Sequence, residues 1–288
     1  MFKDAIKANL EYIKIFSSAY KTSNSDEVVG DIGTIMLINN EGWVLTCKHI
    51  AENIVRADKI ATTYEEIKKE LIENKIPPKR IYKKYGINDS DILILRNVFL
   101  NVLSSWSTIK LVLHETIDLA LIKFEKPEEI YCKKFPVFSK TNPDIGENIC
   151  RIGFPYSEFS PFKYDYRLKD LVLKNDIDAN LQAFPVDGMV TRNLLDPSSN
   201  PTMFEMTNPG FKGQAGGPII NTSGSVVGMY IGSALKDLEI DVDVKLKRGI
   251  KDFNVNQASF MALGLGINVE SIKDFLRANN VKFKEEKI

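Results

Sequence analysis

Short apolar segments separated by turn residues make up most of the chain. In the first half they lie at residues 28–37, 43–46, 92–95, 98–103, 109–113 and 119–124. In the second half they lie at residues 149–152, 188–191, 202–206, 218–220, 225–231 and 260–267. Such runs, bounded by Gly, Pro, Asn and Asp, are typical of β-strands. Many short strands, with helices only at the ends and in one insertion, predict an all-β barrel or sandwich.

Both ends of the chain have helical spacing instead. Apolar residues recur every three or four positions from Phe2 to Phe16, which predicts an amphipathic helix through about Ser18. A polar linker is expected to follow as far as residue 27. Near the other end, the sequence predicts a closing helix from Ser271, with that serine as its cap.

Three internal stretches depart from the strand pattern. Residues 58–88 combine helical spacing with alternating charge, which predicts a solvated helical insertion interrupted by Pro77 and Pro78. Residues 156–180 are expected to be irregular. The charged stretch 235–256 is expected to be mostly loop, with one or two strands at most.

Composition narrows the class of protein. Of 288 residues, 44% are hydrophobic. Lys+Arg and Asp+Glu number 38 each, so the net charge is zero and gives no reason to expect nucleic acid or an anionic membrane as partner. Three widely spaced cysteines predict neither a disulfide framework nor a zinc motif, and two histidines make a metal site or cofactor unexpected. No apolar run reaches the roughly 20 residues that span a bilayer. Charges near the N-terminus are unlike a signal peptide, so we expect a cytoplasmic protein.

The most specific motif is Gly213-Gln214-Ala215-Gly216-Gly217-Pro218, which precedes an apolar strand. Glycine allows a close approach of the backbone to a ligand, and proline fixes the exit from the turn. The N–H groups of Gly213 and Ala215 are candidates for an oxyanion hole, the pair of donors that binds the negative oxygen formed in acyl transfer.

Two further polar residues complete an ordered set. His49 ends the apolar segment 44–46 at a strand-to-helix turn, and Asp118 directly precedes the apolar segment 119–124. Taken alone, such a histidine is more often structural, and such an aspartate is more often a cap. Acyl transfer needs a base, a group that orients the base, and a nucleophile. The order His49, Asp118, position 215 therefore predicts a site of this class.

Other candidates are weaker. Cys47, two residues before His49, invites a Cys–His nucleophile, but we expect a small buried cysteine that is not placed for the cleft. His114 is expected to be a surface or loop residue. The basic, aromatic patch at residues 79–85 is expected to be a solvated part of the insertion rather than a nucleic-acid surface.

These motifs resemble the chymotrypsin-fold serine proteases, and among them the HtrA-type and related bacterial trypsin-like peptidases. The similar segments are Gly33-Thr34, Asn40–Thr46 with His49, Asp118–Ile122, Gly146-Glu147, Ile152–Pro155, Asn208–Gly210, the loop 213–218 and Gly264–Asn268. They span roughly residues 28–280. No C-terminal peptide-binding (PDZ) module is expected in this chain.

The resemblance implies two six-stranded β-barrels with a site between them. The expected division is 1–27 for the N-terminal helix and linker, 28–140 for the first barrel with its insertion, and 141–288 for the second barrel and closing helix. It implies His49 as general base, Asp118 as its orienter and position 215 as nucleophile, acting on a protein substrate. The implied specificity pocket consists of Pro209, Gly210, Lys212, Tyr230, Ile231, Gly232 and Ser233. Because that region has no acidic residue, an apolar or small pocket is expected rather than one for Lys or Arg.

Two residues depart from the family pattern. Gln214 stands where proteases activated by N-terminal trimming carry aspartate, so that mode of activation is not expected. Ala215 stands where the family has the nucleophilic serine, and a methyl group cannot attack a carbonyl. Either a deliberate Ser-to-Ala change has inactivated a serine endopeptidase, or the chain is a natural pseudoprotease that binds proteins or peptides. Retention of His49, Asp118 and both flanking glycines favours the first explanation. The insertion at 58–88 and the N-terminal helix are the expected places for a regulatory protein partner.

Overall fold

Two β-sheets form the frame of the protein; all their pairings are antiparallel except those of one short strand in the second sheet. The computed structural model describes residues 2–73, 76–156, 158–177, 181–248 and 251–287, and within these the side chains of 238–260 are left out of the description. The helices are α1 Lys3–Asn9, α2 Lys48–Glu73, α3 Pro78–Lys84 and α4 Val269–Ala278, with a 3-10 turn at Leu10–Tyr12.

The strands alternate with short turns along the whole chain. They are β1 Ile13–Thr22, β2 Val29–Leu37, β3 Trp43–Thr46, β4 Ile92–Leu100, β5 Leu103–Ser105, β6 Thr108–Leu113, β7 Ala120–Glu125, β8 Glu128–Ile130, β9 Val137–Phe138, β10 Asn148–Gly153, β11 Phe162–Asp165, β12 Asp170–Leu173, β13 Phe184–Leu195, β14 Pro201–Met206, β15 Pro218–Ile220, β16 Val226–Arg248, β17 Lys251–Asn268 and β18 Lys284–Glu285.

The two sheets each contain a six-stranded unit. The first has the order β4-β1-β2-β3-β7-β6. In the second, β15-β10-β13-β14-β17-β16 closes on itself because β15 also pairs with β16, and β9 and β18 extend the sheet beyond β16. Small hairpins β5–β8 and β11–β12 lie outside these units. The predicted all-β, double six-stranded architecture is confirmed.

The N-terminal segment differs from its prediction. The helix ends at Asn9, and residues 13–22, expected to be helix and linker, form β1 between β2 and β4. Most residues of β1 are buried, including the polar Ser17, Ser18 and Lys21, because the strand is covered on both faces. Apolar residues on both faces of a strand also satisfy a helical spacing, so the expected helix through Ser18 is wrong. The helix α1 itself packs on the domain through Phe2 and Ala5.

The insertion is longer and better packed than the sequence predicts. Its helix α2 begins at Lys48 rather than near residue 58, so His49 lies in its first turn. One face is buried: Tyr64 and Ile67 pack with residues of β1, β4, β11 and β12. Lys68 and Arg96 both pair with Asp170 on β12, at 2.7 and 2.9 Å. The insertion is therefore fixed between the first sheet and a hairpin in a region expected to be irregular, and is not simply solvated.

The C-terminal half contains a second correction. The charged stretch expected to be loop is a long hairpin, in which β16 pairs with β17 as far as Arg248 and Lys251. The alternation of apolar and charged residues from 238 to 247 has the period of two that a strand requires. This alternation indicates a strand, and here it is a better guide than the high charge, which is typical of a loop.

The closing helix α4 is capped by Asn268, not by Ser271. The Asn268 side chain accepts a hydrogen bond from the backbone N–H of Ser271 and also donates to the carbonyl of Pro201. We expect Asn268→Ala to lower the free energy of unfolding by about 1–2 kcal/mol, because the N–H of Ser271 and the carbonyl of Pro201 lose their partner. Urea unfolding measures this. Ser271→Ala, the matched control, should change it by less than about 0.5 kcal/mol, and an equal loss in both variants would contradict the assignment.

All three cysteines, Cys47, Cys132 and Cys150, are free thiols and are buried. Among the described residues, no helix combines the length and apolar character needed to cross a lipid bilayer.

Candidate active site

His49 and Asp118 form a hydrogen-bonded pair. The ring Nδ1 of His49 lies 2.7 Å from Oδ2 of Asp118, and the backbone N–H of His49 donates to Oδ1 at 3.0 Å. Both carboxylate oxygens are thus engaged by one residue. This fixes the plane of the imidazole ring relative to the carboxylate.

The local sequence explains how the two side chains meet. Strand β3 pairs with β7, and His49 follows the end of β3 while Asp118 precedes the start of β7. The turn that carries Asp118 is built on His114, whose Nδ1 accepts the backbone N–H groups of Thr116 and Ile117. His114 also packs against the ring of Phe275. It is half-buried in a loop, as the sequence predicts, and its contribution is to shape the turn before Asp118.

The charge state of His49 follows from its partner. An ionised carboxylate only accepts hydrogen bonds, so Nδ1 carries the proton and Nε2 carries the lone pair. The hydrogen bond that Nδ1–H donates to Asp118 raises the pKa of His49 above its ordinary value of 6.5; partial burial opposes this, and the negative charges of Asp118, Asp31 and Glu52 add to the rise. About half of the His49 side chain is exposed, so Nε2 is accessible to a substrate.

The loop that carries Ala215 is held by the first sheet. Thr34 on β2 donates its backbone N–H to the carbonyl of Ala215 at 2.9 Å and its hydroxyl to the carbonyl of Gly213 at 2.8 Å. Thr46 on β3 donates its hydroxyl to the carbonyl of Thr34 at 2.9 Å. Residue 215 is therefore positioned against β2 and β3, the strand that leads into His49.

A shared acceptor brings position 215 close to the histidine segment. The carbonyl of Tyr230 accepts the N–H of Gly216 at 2.8 Å and the thiol of Cys47 at 3.6 Å. Gly216 follows Ala215, and Cys47 lies two residues before His49. The segments that carry the three residues of the predicted catalytic set thus lie along one seam, meaning the line of contact between the two sheets.

The backbone of the loop leaves two donors free. Within the part of the chain that the structure describes, the N–H groups of Gly213 and Ala215 donate no hydrogen bond. Gly216 has φ +86°, and a Cβ there would collide with the carbonyl oxygen of Thr34. Only glycine allows this close approach. Free N–H groups side by side are the arrangement that binds a developing oxyanion.

Cys47 lies nearer to the site than the sequence argument places it. It is buried, as predicted, but its sulfur, a ring nitrogen of His49 and a carboxylate oxygen of Asp118 lie within 4.8 Å of one another. Among the described residues this is the group able to share a metal ion. Burial, and then the negative charge of Asp118, raise the pKa of the Cys47 thiol well above its ordinary value. The thiol is therefore neutral near pH 7, and a neutral thiol is a weak metal ligand and nucleophile.

The residues predicted to form a specificity pocket fall into two adjacent segments. Pro209, Gly210 and Lys212 lie in the loop after β14, and Tyr230, Ile231, Gly232 and Ser233 lie on β16. The hydroxyl of Tyr230 accepts the N–H of Gly210 at 2.9 Å and lies 2.8 Å from the hydroxyl oxygen of Ser233. Lys212 points elsewhere and pairs with Asp31 on β2 at 3.3 Å. Thus Tyr230, Gly210 and Ser233 are brought together, and Lys212 is not part of their cluster.

Arg151, which the sequence analysis does not single out, supports the loop together with Gln214. Arg151 on β10 is 1% exposed, and its guanidinium donates to the carbonyls of Asn208 and Pro209 and to Oε1 of Gln214. Gln214 in turn accepts the N–H of Phe211 at 3.0 Å and donates to the carbonyl of Phe184 at 2.9 Å. A lone charge in the apolar segment 149–152 is the sequence signal that points to Arg151.

Taken together, the described residues provide an imidazole hydrogen-bonded to a carboxylate and, on the loop that carries Ala215, two backbone N–H groups that donate no hydrogen bond. A side chain with a hydroxyl at position 215 would complete the set of groups that acyl transfer requires.

Most of the chain matches a known protein family. The family model for the trypsin-like peptidase domain matches residues 33–229, well over half of the chain, and no curated protein sequence matches significantly. The active form of the Rv3671c protease from M. tuberculosis aligns with a TM-score of 0.49 and 10% identity, covering 97% of this chain and 86% of that chain. An HtrA-type protease solved with a tripeptide aligns with a TM-score of 0.47 and 11% identity, covering 96% of this chain and 63% of that chain. The chain belongs to the family of trypsin-like peptidase domains.

Proposed function

We propose that the chain is a serine endopeptidase in an inactive form, in which Ala215 stands at the nucleophile position. The observation that carries the proposal is the intact pair of His49 and Asp118, joined at 2.7 Å, on the same seam as residue 215. A cleft that only binds a peptide does not require a histidine held in this orientation by a carboxylate.

The proposed reaction of the serine form uses groups of this chain alone. The hydroxyl at position 215 attacks the carbonyl carbon of a peptide bond while its proton passes to Nε2 of His49. Asp118 stabilises the resulting imidazolium, and the N–H groups of residues 213 and 215 bind the oxyanion. The tetrahedral intermediate collapses, and His49 returns the proton to the leaving amine. Water then attacks the acyl-enzyme by the same route, which releases the second product and restores the hydroxyl.

The Ala215→Ser protein tests this function. We expect it to cleave casein or members of a peptide library, with turnover about a millionfold above that of the Ala215 chain, since loss of the nucleophile costs about that factor in a Ser–His–Asp enzyme. The unmodified chain, handled identically, is the matched control. A folded Ala215→Ser protein that cleaves no member of the library would contradict the proposal.

Ala215 itself favours a second candidate, a non-catalytic module that binds a protein or peptide in the same cleft. That candidate predicts peptide binding by the unmodified chain and no hydrolysis by the Ala215→Ser protein. Hydrolysis by the serine form would exclude it as the function of the site.

We also propose that a regulatory protein binds the insertion α2–α3 or the exposed side of α1. A groove between the insertion and the hairpin β11–β12, lined by Tyr82, Tyr164 and Tyr166 among others, supports the first location. Deletion of residues 64–86 is a poor test, because it removes the buried Tyr64, Ile67 and Ile81. Hydrogen exchange with the partner bound is preferable: protection confined to other surfaces would contradict this proposal.

A further inference from the structure

We propose that Tyr230 fills the primary specificity pocket, so that the residue on the acyl side of the scissile bond must be Gly, Ala or Ser. This inference rests on the proposed function for the identity of the substrate, a peptide. It goes further by stating which peptides the cleft accepts.

The position of the pocket follows from backbone contacts. Tyr230 accepts the N–H of Gly216 at 2.8 Å and donates its own N–H to the carbonyl of Gly217 at 2.9 Å. Its strand therefore runs directly beside the nucleophile loop. The space between the loop 209–213 and this strand thus lies next to residues 213 and 215, and we place the side chain of the bound substrate residue there.

That space already contains a side chain of this chain. The ring of Tyr230 crosses it, and the hydroxyl reaches the N–H of Gly210 at 2.9 Å and the Ser233 hydroxyl at 2.8 Å. Only 2% of Tyr230 is exposed. A Cβ added to Gly210 would overlap the ring and hydroxyl of Tyr230, so the two walls of the pocket are in contact through this ring.

The ring is fixed rather than free to swing out. The guanidinium of Arg151 lies 5.0 Å from the centre of the Tyr230 ring, a distance at which a buried cation is attracted to an aromatic face. The same guanidinium donates to the carbonyls of Asn208 and Pro209 at the entry of the loop. Moving the ring would remove the cation's aromatic neighbour and one of the two acceptors of the Gly210 N–H, the other being the Ser233 hydroxyl at 3.0 Å. This disfavours a gate that opens for larger side chains.

Because the buried ring of Tyr230 joins the two walls, the proposed pocket admits only a side chain of one or two heavy atoms. Leucine, phenylalanine or lysine at that position of the substrate must displace the ring and break both of its hydrogen bonds. We therefore expect alanine to be preferred over leucine or phenylalanine by about 100-fold, within the range by which an enzyme pocket rejects an oversized side chain.

Peptide binding by the unmodified Ala215 chain tests the inference without any need for catalysis. Isothermal titration would use peptides that are identical except for Ala, Leu, Phe or Lys at the acyl-side position. The alanine peptide should bind about 100-fold more tightly than the others. Equal or tighter binding of the leucine or phenylalanine peptide overturns the inference, as does the absence of binding by every peptide at about 1 mM, the weak end of specific recognition.

Variants of Tyr230 identify the residue responsible. Tyr230→Ala should open the pocket and reverse the preference towards leucine and phenylalanine, and Tyr230→Val does so more mildly if the alanine variant does not fold. Tyr230→Phe keeps the ring and should keep the preference for alanine. An unchanged order of peptides in a folded Tyr230→Ala or Tyr230→Val protein overturns the assignment to Tyr230.

The two proposals fail separately. If the unmodified chain prefers the alanine peptide but the Ala215→Ser protein hydrolyses none, the pocket inference stands and the enzymatic function does not. If the Ala215→Ser protein hydrolyses peptides with leucine or phenylalanine at that position as fast as those with alanine, the function stands and the pocket inference is overturned.

Discussion

In the Ala215→Ser protein, a further Asp118→Asn substitution is expected to lower kcat about 10⁴-fold with little change in fold. The amide keeps the size of the carboxylate, but its NH₂ group cannot accept the Nδ1 proton of His49. The ring then favours the wrong tautomer, and the imidazolium formed in the reaction loses its counter-charge. A loss of about 10⁴ is the known consequence of this change in a Ser–His–Asp triad.

The same substitution should move the pH profile. The base must be unprotonated, so kcat/KM rises with pH through the pKa of His49. In the parent this pKa lies above 6.5, mainly because of the hydrogen bond that His49 donates to Asp118; in the Asp118→Asn variant the midpoint of the pH profile should move to lower pH. The raised pKa also means that protonated His49 stabilises the folded state below about pH 6.5, and this contribution is lost as pH rises through the raised pKa.

Glu52→Gln provides the matched control, because it also removes one negative charge near His49. Glu52 acts only through space and is the weakest of the contributors to the pKa of His49. For Glu52→Gln in the Ala215→Ser protein we expect a kcat near that of the parent. The acidic side of its kcat/KM profile should shift much less than in the Asp118→Asn variant. Equal effects of Glu52→Gln and Asp118→Asn would show that net charge, rather than the orienting hydrogen bond, governs the site.

Gly216→Ala should be the most destabilising single change in the nucleophile loop, by about 3–5 kcal/mol. A residue with a side chain at φ +86° carries strain of about 1–3 kcal/mol. The new Cβ also collides with the carbonyl oxygen of Thr34, and overpacking of this kind costs about 1–3 kcal/mol. Thr34 cannot retreat freely, because its backbone N–H is bonded to the carbonyl of Ala215 at 2.9 Å. Urea unfolding of the variant and the parent gives the difference.

Gly146→Ala separates the cost of backbone strain from the cost of the collision. Gly146 has nearly the same φ, +87°, but a Cβ there meets no atom within 4 Å. It should therefore cost only the strain, about 1–2 kcal/mol. If Gly216→Ala is no worse than Gly146→Ala, the close approach of the loop to β2 is not what requires glycine at position 216.

Several strands of the two barrels can be predicted from the sequence because they are short and bounded by turn residues. β3, for example, has the predicted bounds of Trp43–Thr46. β1 is not readable in this way, since burial on both faces removes the alternation that marks a strand. The long hairpin β16–β17 carries that alternation. The loop predicted there from its high charge is wrong. The start of α2 at Lys48 depends on packing between the insertion and a hairpin more than 100 residues away, which no local pattern specifies.

The residues of the candidate site also differ in whether the sequence predicts their contribution. His49, Asp118 and the glycines around Ala215 are recognisable because local motifs specify their backbone positions. The contributions of Thr34, Arg151 and Tyr230 depend on contacts across sheets, so sequence order does not reveal them. Tyr230 was expected only to line a pocket; the contacts of its hydroxyl with Gly210 and Ser233 make it the residue that fills that space. Arg151 shows that a buried charge can be satisfied largely by loop carbonyls.

If the site lacks only the attacking oxygen, a serine at position 215 should react with a probe for serine hydrolases. The Ala215→Ser protein is incubated with a fluorophosphonate probe, and its intact mass is recorded beside that of the unmodified chain and of the double variant Ala215→Ser/His49→Ala. We predict that one phosphonyl group adds to the residue at position 215 of the Ala215→Ser protein, and that neither of the other two proteins is labelled. A folded Ala215→Ser protein that stays unlabelled would contradict the claim.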